Sequence, residues 1–250
     1  MPPDTAGRAP AVDRPQWETV TGTSRTTLTT HLWTAPPLRR GSPVHDKAFD
    51  ALRDLEADLV RFLPWFTHPR IAVPLNEIGS YPPDLMNPEP DIPAEYWALS
   101  ASVQSYLWSE LVALGVDLVG IAEFMDYPAM IPGTTLVDRE TGEPNTRYHA
   151  LAVLLRHFGP GDRLVDTSTG HPGLPDARIP ARAFETTGGH RKLLLVNRTA
   201  ETVTVQVEGD APREVDQVGT PIGDETSRPA VAGADRPVLR GDGVAVLVWS

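Results

Sequence analysis

The chain has no cysteine. Disulfides, thiolate metal sites and a cysteine nucleophile are therefore excluded, and the redox compartment is left open. Lysine is nearly missing too: Lys47 and Lys192 are the only two, so arginine carries the positive charge. Positive charge as a whole is scarce, with 22 Lys and Arg against 33 Asp and Glu and a formal net charge of -11. Such a surface repels polyanions at long range, which argues against nucleic acid or an acidic membrane surface as a partner. No apolar run reaches the roughly 18 residues of a membrane span. Residues 1–16, rich in Pro, Ala, Asp and Arg, lack the apolar stretch of a secretory signal. A cytoplasmic location and a disordered tail over residues 1–24 are the expectations.

Other absences concern chemistry. His31, His45 and His68 fall on separate elements, and neither HExxH nor a His-x-His pair occurs, so no metal is expected. Gly188-Gly189 has no helix after it and marks a turn rather than a phosphate loop. There is no Gly-x-Ser-x-Gly elbow. No cofactor is implied.

What is present is a globular composition, 40% hydrophobic and 22% charged, punctuated by 26 prolines and 20 glycines. Residues 26–34 form a β-branched run ending in His31-Leu32-Trp33 and predict a strand. Ser42-Pro43 then opens a helix whose apolar positions Phe49, Leu52, Leu55 and Leu59 recur at helical spacing. Residues 71–75 predict a short buried strand ending in Asn76-Glu77. A helix is predicted from Pro93 to Leu114, with Tyr96, Leu99, Val103 and Leu111 inward and Gly115 at its C′ position. Residues 116–124 predict another buried strand. Residues 144–158 predict a third helix, opened by Pro144, with Tyr148, Leu151, Leu155 and Phe158 on its inner face. This alternation argues for parallel strands covered by helices.

After Gly161 the helical period disappears. Residues 181–186, 192–196, 203–207 and 244–249 predict strands, with residues 197–201 as a hairpin turn. The fold class expected is thus α/β, a partial (β/α) barrel or open parallel sheet over residues 25–165, then a small antiparallel β-sandwich over residues 166–250, with the junction between residues 160 and 182.

Three stretches resemble clan A glycoside hydrolases, near family 39 and its barrel-plus-sandwich relatives. One runs from Arg39-Arg40-Gly41-Ser42-Pro43-Val44-His45-Asp46 to Arg61-Phe62-Leu63-Pro64-Trp65. The second joins Asn76-Glu77-Ile78-Gly79, Tyr106-Leu107-Trp108, Leu114-Gly115-Val116 and Glu123 to Thr141-Gly142-Glu143-Pro144-Asn145-Thr146-Arg147-Tyr148 and Phe158-Gly159-Pro160-Gly161-Asp162. The third is Lys192-Leu193-Leu194-Leu195-Val196-Asn197-Arg198. A full barrel needs eight strand–helix units, and residues 25–162 supply about three, which places a missing middle near residues 69–75.

The resemblance implies hydrolysis of a glycosidic bond with retention by two carboxyl groups, one a nucleophile and the other an acid/base. Glu77 resembles the strand-seven nucleophile, although Asn-Glu is also the acid/base pattern of the fourth strand in this clan. Glu123 is the candidate for the second carboxylate, with Asp126 nearby. Asn76 and the aromatic residues Trp33, Trp65 and Tyr127 are candidates for binding sugar, since the C–H face of a sugar packs on a flat ring. Trp97, Trp108 and Trp249 read as core. Each of these residues also has a plain structural reading, Glu77 as a capping group and Glu123 as a hydrogen-bonded rim residue. The expected partner is carbohydrate. The rival readings are a non-catalytic carbohydrate-binding or structural remnant, and a homo-oligomer in which a second copy completes the open sheet.

Overall fold

The structure, a computed structural model, describes residues 16–19, 26–29, 31–34, 71–72, 74–80, 92–116, 118–125, 133–167, 178–219, 228–230 and 236–250, with 16–77 and 228–230 described by their backbone. The helix expected after Ser42-Pro43 lies outside these residues, as do Trp65, Asp126 and Tyr127.

Among the described residues, the first part has short strands and two helices. Strands β1 (Gln16–Thr19), β2 (Thr26–Thr29) and β4 (Ile71–Ala72) form one sheet, with β1 antiparallel and β4 parallel to β2. Strands β3 (His31–Thr34), β5 (Pro74–Ser80) and β6 (Leu118–Ile121) form an all-parallel sheet in the order β3-β5-β6. The single strand expected over residues 26–34 is therefore divided, and its two parts enter different sheets. The strand expected to stop at Asn76-Glu77 runs on to Ser80.

Helix α1 (Ala94–Ala113) begins after Pro93, whose ring carries no acceptor, so the helix has no side-chain cap. It ends as its glycine dictates. Gly115 takes φ 80°, its N–H reaches the Val112 carbonyl, and the N–H of Val116 reaches that of Leu111. This is the double closure that a left-handed glycine permits. Tyr96, Leu99, Val103 and Leu111 are buried as expected, but so are Ser100, Ser102, Gln104, Ser105 and Ser109. The helix is enclosed on nearly all sides, and Ser105 and Ser109 return their hydroxyls to the helix carbonyls of Ala101 and Tyr106, both at 2.8 Å.

Helix α2 (Thr146–His157) is opened by Asn145 rather than Pro144. The Asn145 side chain accepts from the backbone N–H of Arg147 and of Tyr148, satisfying two orphan donors. Its inner face is also different from the one expected. Arg147, Ala150, Val153, Leu154 and His157 are buried, whereas Tyr148 is 37% and Leu155 71% exposed. Two polar residues with partners inside displace two apolar ones.

The second half is antiparallel. Strands β7 (Arg163–Val165), β8 (Ala181–Glu185), β9 (Arg191–Val196), β11 (Glu214–Val218), β12 (Arg228–Ala230) and β14 (Val244–Val248) form a six-stranded sheet in the order β12-β11-β14-β9-β8-β7. Strands β10 (Val203–Thr204) and β13 (Val238–Leu239) form a separate pair. The turn at residues 197–201 is thus no hairpin, because β9 pairs with β8 and β14 while β10 pairs with β13. Asn197 organises the crossing: its amide donates to the carbonyls of Glu201 and Arg240, and its oxygen accepts from Thr199. Gly241 packs so tightly there that a Cβ would lie 2.2 Å from the Ala200 carbonyl oxygen.

Every residue of β14 is buried, since the sheet is covered on both faces. On one face Phe184, Leu194, Val196, Val218, Val244, Val246 and Val248 join Leu99, Val103 and Leu111 of α1 and Val153 and Leu154 of α2 in one core. On the other, Leu195, Val215, Ala245 and Leu247 meet Leu239 and Val205. The rings of Trp108, Phe158 and Phe184 meet at the edge of the first core, with Phe158 and Phe184 centroids 4.6 Å apart.

Polar contacts lock α2 to this sheet. Asp216 of β11, 2% exposed, accepts on Oδ2 from Arg156 Nη1 and from His157 Nε2, the latter at 3.1 Å. Lys192 Nζ donates to the His157 carbonyl and to Asp162 Oδ2. Burial pushes the Asp216 carboxyl up, but the His157 hydrogen bond and the charges of Arg156 and His157 outweigh it, so its pKa falls below the ordinary 3.8. Because the folded pKa is the lower one, this contribution to stability is complete above the unfolded value and is lost as pH falls through the folded value. Between about pH 6 and about pH 2.5 the urea midpoint of the wild type should fall more than that of Asp216→Asn, which should start lower. Equal pH dependence in the two proteins would exclude Asp216 as the group responsible.

Candidate active site

The backbone places two of the sequence candidates on adjacent segments of chain. Glu77 is the fourth residue of β5. Ile78, which follows it, pairs with Ile121 of β6, and the N–H of Ala122 donates to the Ile78 carbonyl at 3.1 Å. Glu123 therefore leaves the end of β6 beside the β5 segment that carries Glu77. The strand ends lie on the same edge of a parallel sheet, where α/β folds hold their ligands. On the other side of β5, His31 is the register partner of Glu77 and Trp33 that of Gly79. Asn76 precedes Glu77 in β5. The backbone thus brings Trp33, Asn76, Glu77 and Glu123 to three adjacent strands.

Glu123 was expected within a strand reaching residue 124. The strand ends at Ile121, and Glu123 stands two residues beyond it, half-buried. There it is held by the segment 133–137. Its Oε2 accepts from Thr134 Oγ1 at 3.1 Å, its N–H donates to the Thr134 carbonyl at 3.3 Å, and its carbonyl accepts from Leu136 N–H at 3.0 Å.

Beneath this segment lies Arg147, only 1% exposed. Its Nη2 donates to the Ala122 carbonyl at 2.8 Å. Its Nη1 reaches the carbonyls of Gly133, Thr134 and Thr135. Its Nε donates to Gln104 Oε1 at 3.2 Å. Burial lowers its pKa to about 10, against the attraction of Tyr96 and Glu123, so the guanidinium keeps its charge at neutral pH. Two more groups hold the same segment: Tyr96 donates its hydroxyl to the Gly133 carbonyl at 3.0 Å, and Asn145 its amide to that of Thr135 at 2.7 Å. Burial, offset by Arg147, Ser80 and Ser100, pushes the Tyr96 phenol up to about 12, so it stays a donor. Ser80 at the end of β5 shares a hydrogen bond with Ser100 of α1.

The sequence reading gave no site role to Arg147, Thr134 or Asn145, and read Tyr96 only as a core residue. A signal for Arg147 existed: it sits three and seven residues before Ala150 and Leu154 and so shares their helix face. Chemically, the arrangement is a carboxylate beside a hydroxyl donor, fixed from below by a buried cation, next to a strand with a second carboxylate. Among the described residues no group of His, Asp and Glu is arranged to hold a metal.

Residues 176–245 match the family model of the D-apionate lactonase C-terminal immunoglobulin-like domain. The match takes in β8 to β13, within the antiparallel part. Comparison with curated proteins finds no match. In fold, the chain is similar to the GH51 arabinofuranosidase from Xanthomonas axonopodis pv. citri, with a TM-score of 0.57 and 17% identity over 90% of this chain and 52% of that one. It is similar to the α-L-arabinofuranosidase from Thermotoga maritima, with a TM-score of 0.57 and 13% identity over 89% and 52%. It is also similar to the catalytic domain of GH30 xylanase C from Talaromyces cellulolyticus, with a TM-score of 0.52 and 12% identity over 72% and 41%. These are clan A glycoside hydrolases, the clan the motifs resemble; family 39 itself is not established by them. The chain spans about half the length of the arabinofuranosidases. At such identities the likeness is one of fold.

Arg147→Leu should lower stability by about 3 kcal/mol or more, because several buried acceptors lose their donor at about 1–3 kcal/mol each. Urea unfolding would measure it. A loss under about 1 kcal/mol would mean that the carbonyl cage does not depend on the guanidinium.

Proposed function

We propose that the chain is part of a carbohydrate hydrolase, and that the bond cleaved is the ester of a sugar-acid lactone. The observation that carries this reading is the match of residues 176–245 to the lactonase domain, since a likeness of fold does not choose between reactions. In this reading the carboxylates of Glu77, in β5, and of Glu123, just after β6, supply the chemistry. One carboxylate takes a proton from water as the water attacks the lactone carbonyl carbon. The ring C–O bond then breaks, and the departing oxygen takes a proton from the carboxylic acid so formed. The product is an open-chain sugar acid. Glu123 suits the proton-transfer role, with Thr134 and the buried Arg147 holding its loop, while Glu77 and Asn76 orient the substrate hydroxyls. Trp33, Trp65 and Tyr127 remain the candidates for packing on the sugar.

A second reading draws on the arabinofuranosidase-like fold. The same pair would cleave a glycosidic bond with retention, with Glu77 forming a glycosyl ester and Glu123 protonating the leaving oxygen. A third keeps the aromatic residues and binds carbohydrate without turnover.

One assay separates them. Wild type, Glu77→Gln and Glu123→Gln are given D-apionate lactone and other aldonolactones in one series, and aryl arabinofuranosides and xylosides in another. Lactone hydrolysis that drops by roughly 10²–10⁴-fold in Glu123→Gln is expected. Cleavage of aryl glycosides but not lactones would replace the lactonase reading by the glycosidase one. Turnover of neither would leave carbohydrate binding.

A further inference from the structure

The six-stranded sheet is wider than the two-stranded pair that covers its outer face. Over β11, β14 and part of β9 the cover is complete, and Val215, Ala245 and Leu247 are buried with Leu239. Among the described residues it gives out toward β7. Val165, Ala183 and Leu193 stand in one register row across β7, β8 and β9. They continue the row of Leu247 and Val215, yet Val165 is 43% exposed. Ala183 is the smallest member of the row, so the floor is deepest there. The result is a cleft of about 320 Å³ between this floor, Trp249 and the segment 207–210.

The lining is mostly apolar, with polar residues among it. The Trp249 indole N–H donates to the Asp210 carbonyl at 2.7 Å, which fixes the ring as one side of the cleft. Gly209, at φ 103°, turns the opposing segment so that Glu208 and Asp210 flank it. Arg191 closes the third side. Among the described residues, the side chains of Arg191, Glu208 and Asp210 have no hydrogen-bond partner, whereas Lys192 is taken up by Asp162 and the His157 carbonyl. An aromatic wall, an apolar floor and a rim holding both acceptors and a donor complement the two faces of a sugar ring, apolar C–H groups and hydroxyls. Two free carboxylates against one free guanidinium disfavour an acidic sugar. The sequence reading placed Trp249 in the core; it is half-buried, packs against the outer core and also lines this cleft.

We propose that this cleft is a second, non-catalytic site that binds one unit of a neutral oligosaccharide. It is independent of the reaction assigned to Glu77 and Glu123. Its occupant packs on Trp249 and hydrogen-bonds Glu208, Asp210 and Arg191.

The test is an NMR titration of the full chain with arabinotetraose, xylotetraose and cellotetraose, reading the indole N–H of Trp249, assigned by its loss in Trp249→Phe, and the Gly209 amide. At least one tetraose should shift both signals. Trp249→Ala should weaken binding at least tenfold. Glu208→Gln combined with Asp210→Asn, two exposed changes that spare the core, should do the same. Glu77→Gln should leave it unchanged, and tetragalacturonate should bind at least tenfold more weakly. No response at Trp249 and Gly209 to any of the three, undiminished binding in the Glu208/Asp210 variant, or tighter binding of tetragalacturonate would each overturn the proposal. Because the Glu208/Asp210 variant reads the rim alone, the result stands even where Trp249→Ala fails to fold.

Discussion

Among the described residues, Arg147 donates to a glutamine of α1, the carbonyl at the end of β6 and three successive carbonyls of the segment 133–135, and to no carboxylate. A buried guanidinium would be costly if any of its donors were idle. Surrounded in this way, it converts four pieces of chain into one body. Helix α1, helix α2, the β6 end and the loop over it cannot be displaced separately without stranding a charge. The position of Glu123 follows from that body, since its backbone and side chain are both held by Thr134.

A second body is built from apolar contacts. The inner face of the six-stranded sheet and the two helices share one core. Where polar groups cross that boundary they are paired: Asp216 with Arg156 and His157, Glu110 with Arg182 at 2.6 Å, Lys192 with Asp162. The parallel sheet therefore reaches the antiparallel one through the helices. Pairing of this kind fixes register and orientation more than it adds net stability.

How much of this was legible depended on whether burial followed hydrophobicity. Helix α1 was readable from Tyr96, Leu99, Val103 and Leu111, and its end from Gly115, because those residues do what their chemistry favours alone. Strands β8, β9 and β14 were readable from their β-branched and aliphatic runs. The face of α2 was not. Leu155 and Tyr148 look like core residues and Arg147 and His157 do not, yet the latter two are inside because acceptors from distant segments await them. The same holds for β11, where Glu-Val-Asp-Gln-Val reads as polar until Asp216 finds Arg156 and His157. The turn at residues 197–201 was misread as a hairpin for a related reason: Asn197 bonds Arg240, far along the chain, and a local pattern carries no trace of that. For the candidate site, the order of β5, α1 and β6 was enough to suggest neighbouring strands for Glu77 and Glu123. The placement of β3 beside β5, and the role of the 133–137 segment, depend on pairings that no single stretch announces.

Strand β14 lies between β9 and β11 in the sheet, but follows both along the chain. During synthesis β9 and β11 emerge with no strand to join them, and α1 and α2 emerge with no floor to rest on. The pairings of β7 with β8, β8 with β9 and β11 with β12 need no later strand, but these two groups are joined only when Val244–Val248 threads between β9 and β11. Until then the apolar sides of both helices remain available to chaperones or to other nascent chains. Closure of this layer is therefore a late event, and until then the net charge of -11 helps to keep the growing chain soluble.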